Sequence, residues 1–360
     1  MSLASGNPAL TVESHDRVGA LTEDWDQLAK RTGAPPFQRP GWFDAWLDAF
    51  GGGRAEILAV RRGEALTGVL PLVRRAGSLR SATNWHTPLF GPVAADAAAL
   101  AALTAALLRE RASRYDISFL DASGPVPAAL REAARAAGAK VVERTIARQP
   151  FVDVSGDWAA YEARLERKQR KELGRVRRRL ENEGELRFEF VSDDERLDAL
   201  LDEGFAVEGS GWKSAGGTAI ASDPAVERFY RRVAHWASGD GMLVLAFVRL
   251  DTRAIAFDMT IESADSAYVL KGGFDPDYRR FAPGSLLTYE SLARAFSSPL
   301  RSYEFLGTDD AYKLAWSDGV RERVRLQAFP RTPRGALERL AWTSGRSAAK
   351  RLLAMSGRDR

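Results

Sequence analysis

Two α/β halves, each a mixed sheet flanked by helices, are what the sequence predicts, and three observations predict them. Apolar runs of strand length alternate with amphipathic helical stretches, which is the order of an α/β sheet. That order occurs twice, once before residue 150 and again after residue 185. The chain of 360 residues is too long for one typical domain and fits two of roughly 150 residues each. We therefore expect an N-terminal half at 1–150, a basic connecting helix at 151–184, a C-terminal half at 185–330, and a basic helix and tail at 331–360.

In the first half, Leu21–Arg31 and Pro40–Phe50 read as amphipathic helices, with Trp25, Leu28, Trp42, Phe43, Trp46 and Leu47 as core candidates. Gly51-Gly52-Gly53 ends the second helix. Ala55–Arg61 and Ala65–Val73 form a strand pair turned at Arg62-Gly63-Glu64. Ala95–Arg111 is an alanine-rich helix, Tyr115–Leu120 an alternating strand, Val126–Ala137 a helix closed by Gly138, and Lys140–Ile146 a returning strand. After Pro150 comes a short strand, Phe151–Val154, and then a single long helix, Trp158–Glu183. Its apolar stripe is Leu165, Leu173, Val176 and Leu180, and Gly184 ends it.

The second half starts with the strand Glu185–Val191 and the helices Asp193–Glu208 and Pro224–Ala237. Three strands follow at Met242–Leu250, Arg253–Ile261 and Ala267–Gly272, with a turn at Asp275-Pro276-Asp277. The helix Pro283–Phe296 and the strands Ser302–Leu306 and Val324–Phe329 complete it.

Composition removes several kinds of chemistry. There is no cysteine, which excludes disulfides, thiolate zinc sites and a cysteine nucleophile. Three histidines, His15, His86 and His235, are too far apart for a multi-histidine metal site, so no metal is expected. No Ser–His–Asp triad is expected either. The net charge of +4 is mild and concentrates in Arg167–Arg179 and after Arg331. The N-terminus lacks the pattern of a signal peptide, and no apolar run reaches the ~18 residues of a membrane span. A cytoplasmic protein is the expectation. Peripheral attachment through the basic helix at 165–180 or the tail stays open. Nucleic acid is disfavoured, because the basic run has no interleaved aromatics.

Tyr268–Leu292 holds the most chemistry: a strand, a turn and a helix opened by Pro283. First helical turns favour acids, yet this one has Pro, Gly, Ser and Leu, with Arg279 and Arg280 just before it. A helix start left positive, with a glycine for close backbone approach, suits an anion. An ordinary Pro-started helix with solvated arginines is the competing reading.

Arg279-Arg280-Phe281-Ala282-Pro283-Gly284 resembles the acyl-CoA pyrophosphate loop of the GNAT superfamily, (Gln/Arg)-x-x-Gly-x-(Gly/Ala), with Ala282 where a glycine is usual. The chain resembles more narrowly the CelD/BcsL-like (BioF2-like) acetyltransferases, which are related to the FemAB peptidyl transferases. The matching pieces are Phe37-Gln38-Arg39-Pro40-Gly41-Trp42, Gly68-Val69-Leu70-Pro71-Leu72, the basic helix, Gly211-Trp212-Lys213, Phe274-Asp275-Pro276, and Asp310-Ala311-Tyr312-Lys313 with Trp316. They span about residues 10–330.

The resemblance implies direct transfer from acyl-CoA, typically acetyl-CoA, to an amine or hydroxyl of a small metabolite or sugar, in envelope or exopolysaccharide metabolism. The CoA site would comprise Arg279, Arg280, Gly284 and Ser285, with the strand Tyr268–Gly272 and its Lys271 alongside. Glu208, Asp309 and Tyr312 are candidates for catalysis, and Trp212, Lys213, Asp258 and Lys313 for acceptor binding. Phe37–Trp42 and Trp85-His86-Thr87 would line the acceptor side. Two rivals share the fold: FemAB-like aminoacyl transfer, and a non-catalytic scaffold for polysaccharide synthesis.

Overall fold

A computed structural model describes residues 9–192, 195–210 and 220–342. In chain order the elements are β1 (Leu10–His15), α1 (Thr22–Thr32), α2 (Pro40–Phe50), β2 (Arg54–Arg62), β3 (Ala65–Arg75), β4 (Ser78–Ser81), β5 (Val93–Ala94), α3 (Ala97–Arg109), β6 (Arg114–Asp121), α4 (Pro125–Ala136) and β7 (Lys140–Asp153). Then come α5 (Trp158–Arg164), α6 (Arg167–Glu181), β8 (Leu186–Val191), α7 (Leu197–Gly209), α8 (Pro224–Gly239), β9 (Leu243–Leu250), β10 (Arg253–Ser263), β11 (Ser266–Phe274), α9 (Pro283–Phe296), β12 (Ser302–Glu304), α10 (Ala311–Leu314) and β13 (Gly319–Phe329). Residues 333–342 are helical.

These elements form two compact units that are not contiguous in sequence. One contains the chain up to Thr32, Gly51–Ile146, and Glu322 onward; the other contains Gly33–Phe50 and Ala147–Arg321. The first unit has strands in the order β1-β2-β3-β4-β6, and residues 323–328 of β13 run antiparallel to β6. Helices α1, α3 and α4 belong to it. Asp96 starts α3 by accepting the Ala99 N–H at 2.8 Å.

The second unit has residues 151–153 of β7, then β12, β11, β10, β9 and β8. Only β11 and β12 are parallel to each other. Its core joins Val152, Tyr161, Leu180, Val248, Leu286 and Leu292, all buried. Helix α2 belongs here because its first turn lies on α8. A Cβ at Gly41 would overlap the Trp236 indole. Arg39 is 3% exposed; its guanidinium donates to Asp240 at 2.6 Å and stacks on Trp236 at 5.2 Å.

Three sequence expectations change. The expected long helix Trp158–Glu183 is two, α5 and α6, because Leu165 and Glu166 adopt extended ψ values of 145° and 132°. The break lets Tyr161 with Leu165, and separately Leu173 with Val176, reach one core. The two strands expected on either side of Pro150 are one, β7. Proline's missing N–H is tolerated there, and its carbonyl accepts the Phe305 N–H at 3.0 Å. The strand expected to reach Leu306 stops at Glu304, because Leu306 and Gly307 both take left-handed φ, 55° and 63°.

Candidate functional site

The sequence of β11, SAYVLKGGF, places two glycines in a strand interior. Glycine there weakens a strand and marks close approach by another group. The approaching groups belong to two acidic residues, one on each face. Asp258 faces Gly272 across the β10–β11 ladder, and a Cβ at Gly272 would overlap its Oδ1. On the other face the end of α7 lies against Gly273, where a Cβ would come 2.7 Å from the Glu208 Cα. Successive residues point to opposite faces of a strand, so both neighbours must be glycine to admit both acids.

Glu208 is 1% exposed and accepts the Ile220 N–H at 2.9 Å. It is therefore not the surface acid that its helix-end position allows. Beside it, Lys271 holds its ammonium 5.4 Å from the Tyr230 ring centroid. Burial, with the Glu208 charge added, pushes the Tyr230 phenol far up. On the opposite face, burial and then Asp258 do the same to Tyr303.

β11 also changes partners at this level. Its ladder with β12 ends at Tyr268↔Glu304, while its ladder with β10 continues to Phe274. The β10–β11 register shifts between Met259 and Thr260, so Leu270 bulges out. The divergence of two parallel strands and a bulge therefore fall just before the Gly272–Gly273 pair.

From Phe274 the chain enters a single 3₁₀ stretch, Pro276–Phe281, that ends at Ala282 in the left-handed region with φ 45° and ψ 51°. Helix α9 then starts without a side-chain cap or an acid in its first turn. Pro283 has no N–H, and the Ser285 N–H donates to the Ala282 carbonyl at 2.9 Å. The Gly284 N–H has no partner among the described residues. Gly284 lies against Phe274, 3.4 Å from a would-be Cβ. Arg279 is exposed and, among the described residues, has no carboxylate partner. Arg280 differs, with Nη2 3.4 Å from Glu183 and its guanidinium 4.6 Å over the Phe281 ring. One open N–H at a helix N-terminus and one open guanidinium fit a phosphate group.

The loop after β12 is organised by Lys313, which is 8% exposed. Its ammonium donates to the carbonyls of Leu306 and Thr308, each at 3.2 Å, and lies 3.1 Å from Asp310. With three partners in its own loop, Lys313 shapes the segment instead of offering its charge outward. Asp309 lies 2.9 Å from Arg148. Tyr312 is exposed, yet its phenol is pushed up to about 12, first by desolvation among its neighbours and then by Asp310 and Asp258. Asp258 thus acts on this loop as well as on Gly272.

The structure places Glu208 and Lys271 on one face of β11 and Asp258 on the other, and Asp258 is among the charges that raise the Tyr312 phenol. Arg279, Arg280, Gly284 and Ser285 form the adjoining loop. Trp212 and Lys213 lie outside the described residues. Reading the sequence missed Gly272–Gly273, Tyr230 and Tyr303; consecutive glycines inside a strand were the signal for the first. Phe37 of the Phe37–Trp42 motif meets the Tyr268 ring edge-on at 5.1 Å, so this segment reaches β11 as well as α8. Among the described residues no cluster of His, Asp and Glu could hold a metal ion, and no helix is long and apolar enough to cross a membrane.

Residues 167–314 match the family model described as acetyltransferase (GNAT) domain. No curated protein matches the chain. Among solved structures the fold is similar to FemX, at 14% identity with a TM-score of 0.59 over 87% of this chain and 96% of that one. It is also similar to the C-terminal domain of a putative lysylphosphatidylglycerol synthetase from Agrobacterium fabrum, at 14% identity and TM-score 0.55, covering 89% and 95%. A conserved protein from Bacteroides thetaiotaomicron gives 12% identity and TM-score 0.53, covering 89% and 100%. At these identities the likeness concerns the fold.

Proposed function

Because residues 167–314 form a GNAT acetyltransferase domain in a chain of FemAB-related fold, we propose that this enzyme moves an acyl group, acetyl in the first instance, from acyl-CoA to a small acceptor. The acceptor would be an amine or hydroxyl of a metabolite or sugar, and the setting the cytoplasm. The observation that supports this most is the placement of Glu208 and Asp258 on either side of Gly272–Gly273, directly ahead of an uncapped helix start.

Acyl-CoA supplies the activated thioester carbon. The residues of the chain do the rest. Arg279 and the Gly284 N–H hold phosphate, and Arg280, Ser285 and Lys271 flank it. Glu208 takes the acceptor proton, and Asp258 orients the acceptor group. Tyr312, whose phenol is held up at about 12 and so stays protonated well into the alkaline range, gives a proton to the departing thiolate. Lys313 and Asp309 fix the loop that presents it. In the step itself the acceptor N–C or O–C bond forms and the thioester C–S bond breaks.

The test combines acetyl-CoA binding with turnover. Acetyl-CoA at saturating concentration should raise the melting temperature of the wild-type protein. Glu208→Gln should keep that rise and lower kcat about 10²-fold or more. Absence of any acetyl-CoA effect, with the protein folded, would remove the reading. A second reading, aminoacyl transfer, is favoured by the fold shared with FemX and the lysylphosphatidylglycerol synthetase domain. It requires that an aminoacyl donor, and not acetyl-CoA, give the shift.

A further inference from the structure

Helix α6 buries Leu173, Val176 and Leu180 and turns Arg167, Lys168, Arg170, Lys171, Arg175 and Arg178 to solvent. Of these six only Arg175 meets a carboxylate, Glu172, at 2.8 Å. The other five have none among the described residues. The arrangement opposes helix stability. The first turn has no acid, and Glu166 makes no side-chain capping bond. Cations there face the positive end of the macrodipole. Arg167 with Lys171, and Lys171 with Arg175, are like-charge pairs four apart, each unfavourable by a few tenths of a kcal/mol. A helix that only covered a core would need none of this. A shallow depression lined by Arg167, Lys168, Lys171, Glu172 and Arg175 lies along the same face.

The face is continuous with the phosphate loop. Arg179 at its C-terminal end lies 5.1 Å over the Phe281 ring, and Glu183 meets Arg280 at 3.4 Å. From there the cations extend outward for the length of the helix, roughly 20 Å at 1.5 Å per residue. The loop itself offers few donors. Pro283 has none and the Ser285 N–H goes to the Ala282 carbonyl, which leaves the Gly284 N–H as the one backbone donor of this helix start without a partner among the described residues, beside the Arg279 guanidinium, with Arg280 and the Ser285 hydroxyl flanking it. That set matches one phosphate better than a diphosphate.

Resting on the acyl-transfer reading above, we propose that the thioester is delivered on the 4′-phosphopantetheine arm of a small acidic carrier protein. Its acidic surface docks on the exposed face of α6. The arm's single phosphate meets Gly284 and Arg279, and its thioester reaches β11. Charge complementarity selects this occupant, since the face has no exposed aromatic or apolar side chain for a nucleobase or a lipid tail. The chemistry stays the same: the acyl carbon leaves sulfur for the acceptor, and the thiol remains on the arm with the proton.

The experiment measures binding of an acidic bacterial acyl carrier protein, in acetylated and arm-less apo forms, and of acetyl-CoA. It uses the full chain and its Arg167→Glu/Lys171→Glu variant, at low and high salt. Both substitutions are on the surface, and a melting temperature at or above that of the wild type verifies folding, since acids at the start of α6 relieve the repulsion and suit the helix N-terminus. The acetylated carrier should bind the wild type about tenfold or more tighter than the apo carrier, and should lose about tenfold or more in the variant. Acetyl-CoA should bind both proteins equally. Acetyl-CoA binding with no carrier binding would overturn the proposal alone. So would an equal loss of acetyl-CoA and carrier in the variant, or binding of RNA or anionic vesicles through these residues in place of the carrier. If neither thioester binds, the acyl-transfer reading fails first.

Discussion

Gly272 and Gly273 have the least side chain of any residues on β11, and that is why the strand can lie between two carboxylates. The two positions should respond differently to an added methyl. At Gly273 the obstacle is the backbone of Glu208 at 2.7 Å, which cannot swing aside. Gly273→Ala should cost about 1–3 kcal/mol of stability, read as a lowered denaturation midpoint. At Gly272 the obstacle is the Asp258 carboxylate, the mobile end of a side chain. Gly272→Ala should leave the midpoint closer to wild type and lower kcat by displacing Asp258. Equal stability losses with unchanged kcat would argue that both acids only fill space. Tyr312 adds a pH prediction. Its phenol is raised to about 12, so kcat should show no alkaline loss from this group through pH 10, and Tyr312→Phe should lower kcat without moving that limb.

At the scale of elements, the proposed phosphate loop depends on a helix start whose Gly284 N–H has no partner among the described residues. Among the described residues Arg279 has no carboxylate partner, whereas Arg280 already has Glu183 and Phe281. Arg279→Ala should therefore weaken acetyl-CoA binding by about tenfold or more, the effect of one charge-assisted bond of ~1.5–3 kcal/mol. Arg280→Ala should weaken it less. Calorimetric titration of both variants checks the order, and the reverse order would relocate the phosphate. The loop after β12 is held by Lys313 across two consecutive left-handed residues. Lys313→Met should loosen it and lower kcat by as much as the double variant Lys313→Met/Tyr312→Phe does. A fully additive pair would mean that Lys313 does not act through Tyr312.

Much of this scale was legible in the sequence. Pro283–Phe296 is a helix with those very ends, because proline fixes its start and the apolar spacing its face. The break in Trp158–Glu183 was not legible. Leu165 keeps helical spacing with Leu173, so periodicity cannot report that the backbone between them is extended. Lys313, expected among the acceptor-binding residues, has a place in its own loop that was not legible, because sequence shows its charge and hides the carbonyls around it.

At the scale of the whole molecule, the Phe37–Trp42 motif reads differently in place than in sequence. Sequence groups it with the first half, whereas its contacts are with α8 and β11. Backbone against an indole and a buried arginine on an aspartate are long-range contacts that no local pattern announces. Gly41→Ala should force Trp236 to move and cost about 1–3 kcal/mol. Arg39→Met should leave the Asp240 carboxylate without its partner at a similar cost. Chemical denaturation of the full chain measures both, and wild-type midpoints would show that the motif serves something other than attachment of α2.

Because Gly33–Phe50 belongs to one unit and Glu322 onward to the other, the chain passes between its two units four times. During synthesis from the N-terminus, the first unit has to wait for residues 323–328, the antiparallel partner of β6, until the whole of the second unit's sequence has been made. The second unit, by contrast, has its α2 segment made early and waiting. The second unit's sequence is finished at Arg321, and only then does the first unit receive its last strand, so the unit begun first is the one completed last, against the usual domain-by-domain order. The nascent chain therefore holds an open sheet edge at β6 from the making of β6 until that of β13, which is the period when it is most in need of a chaperone.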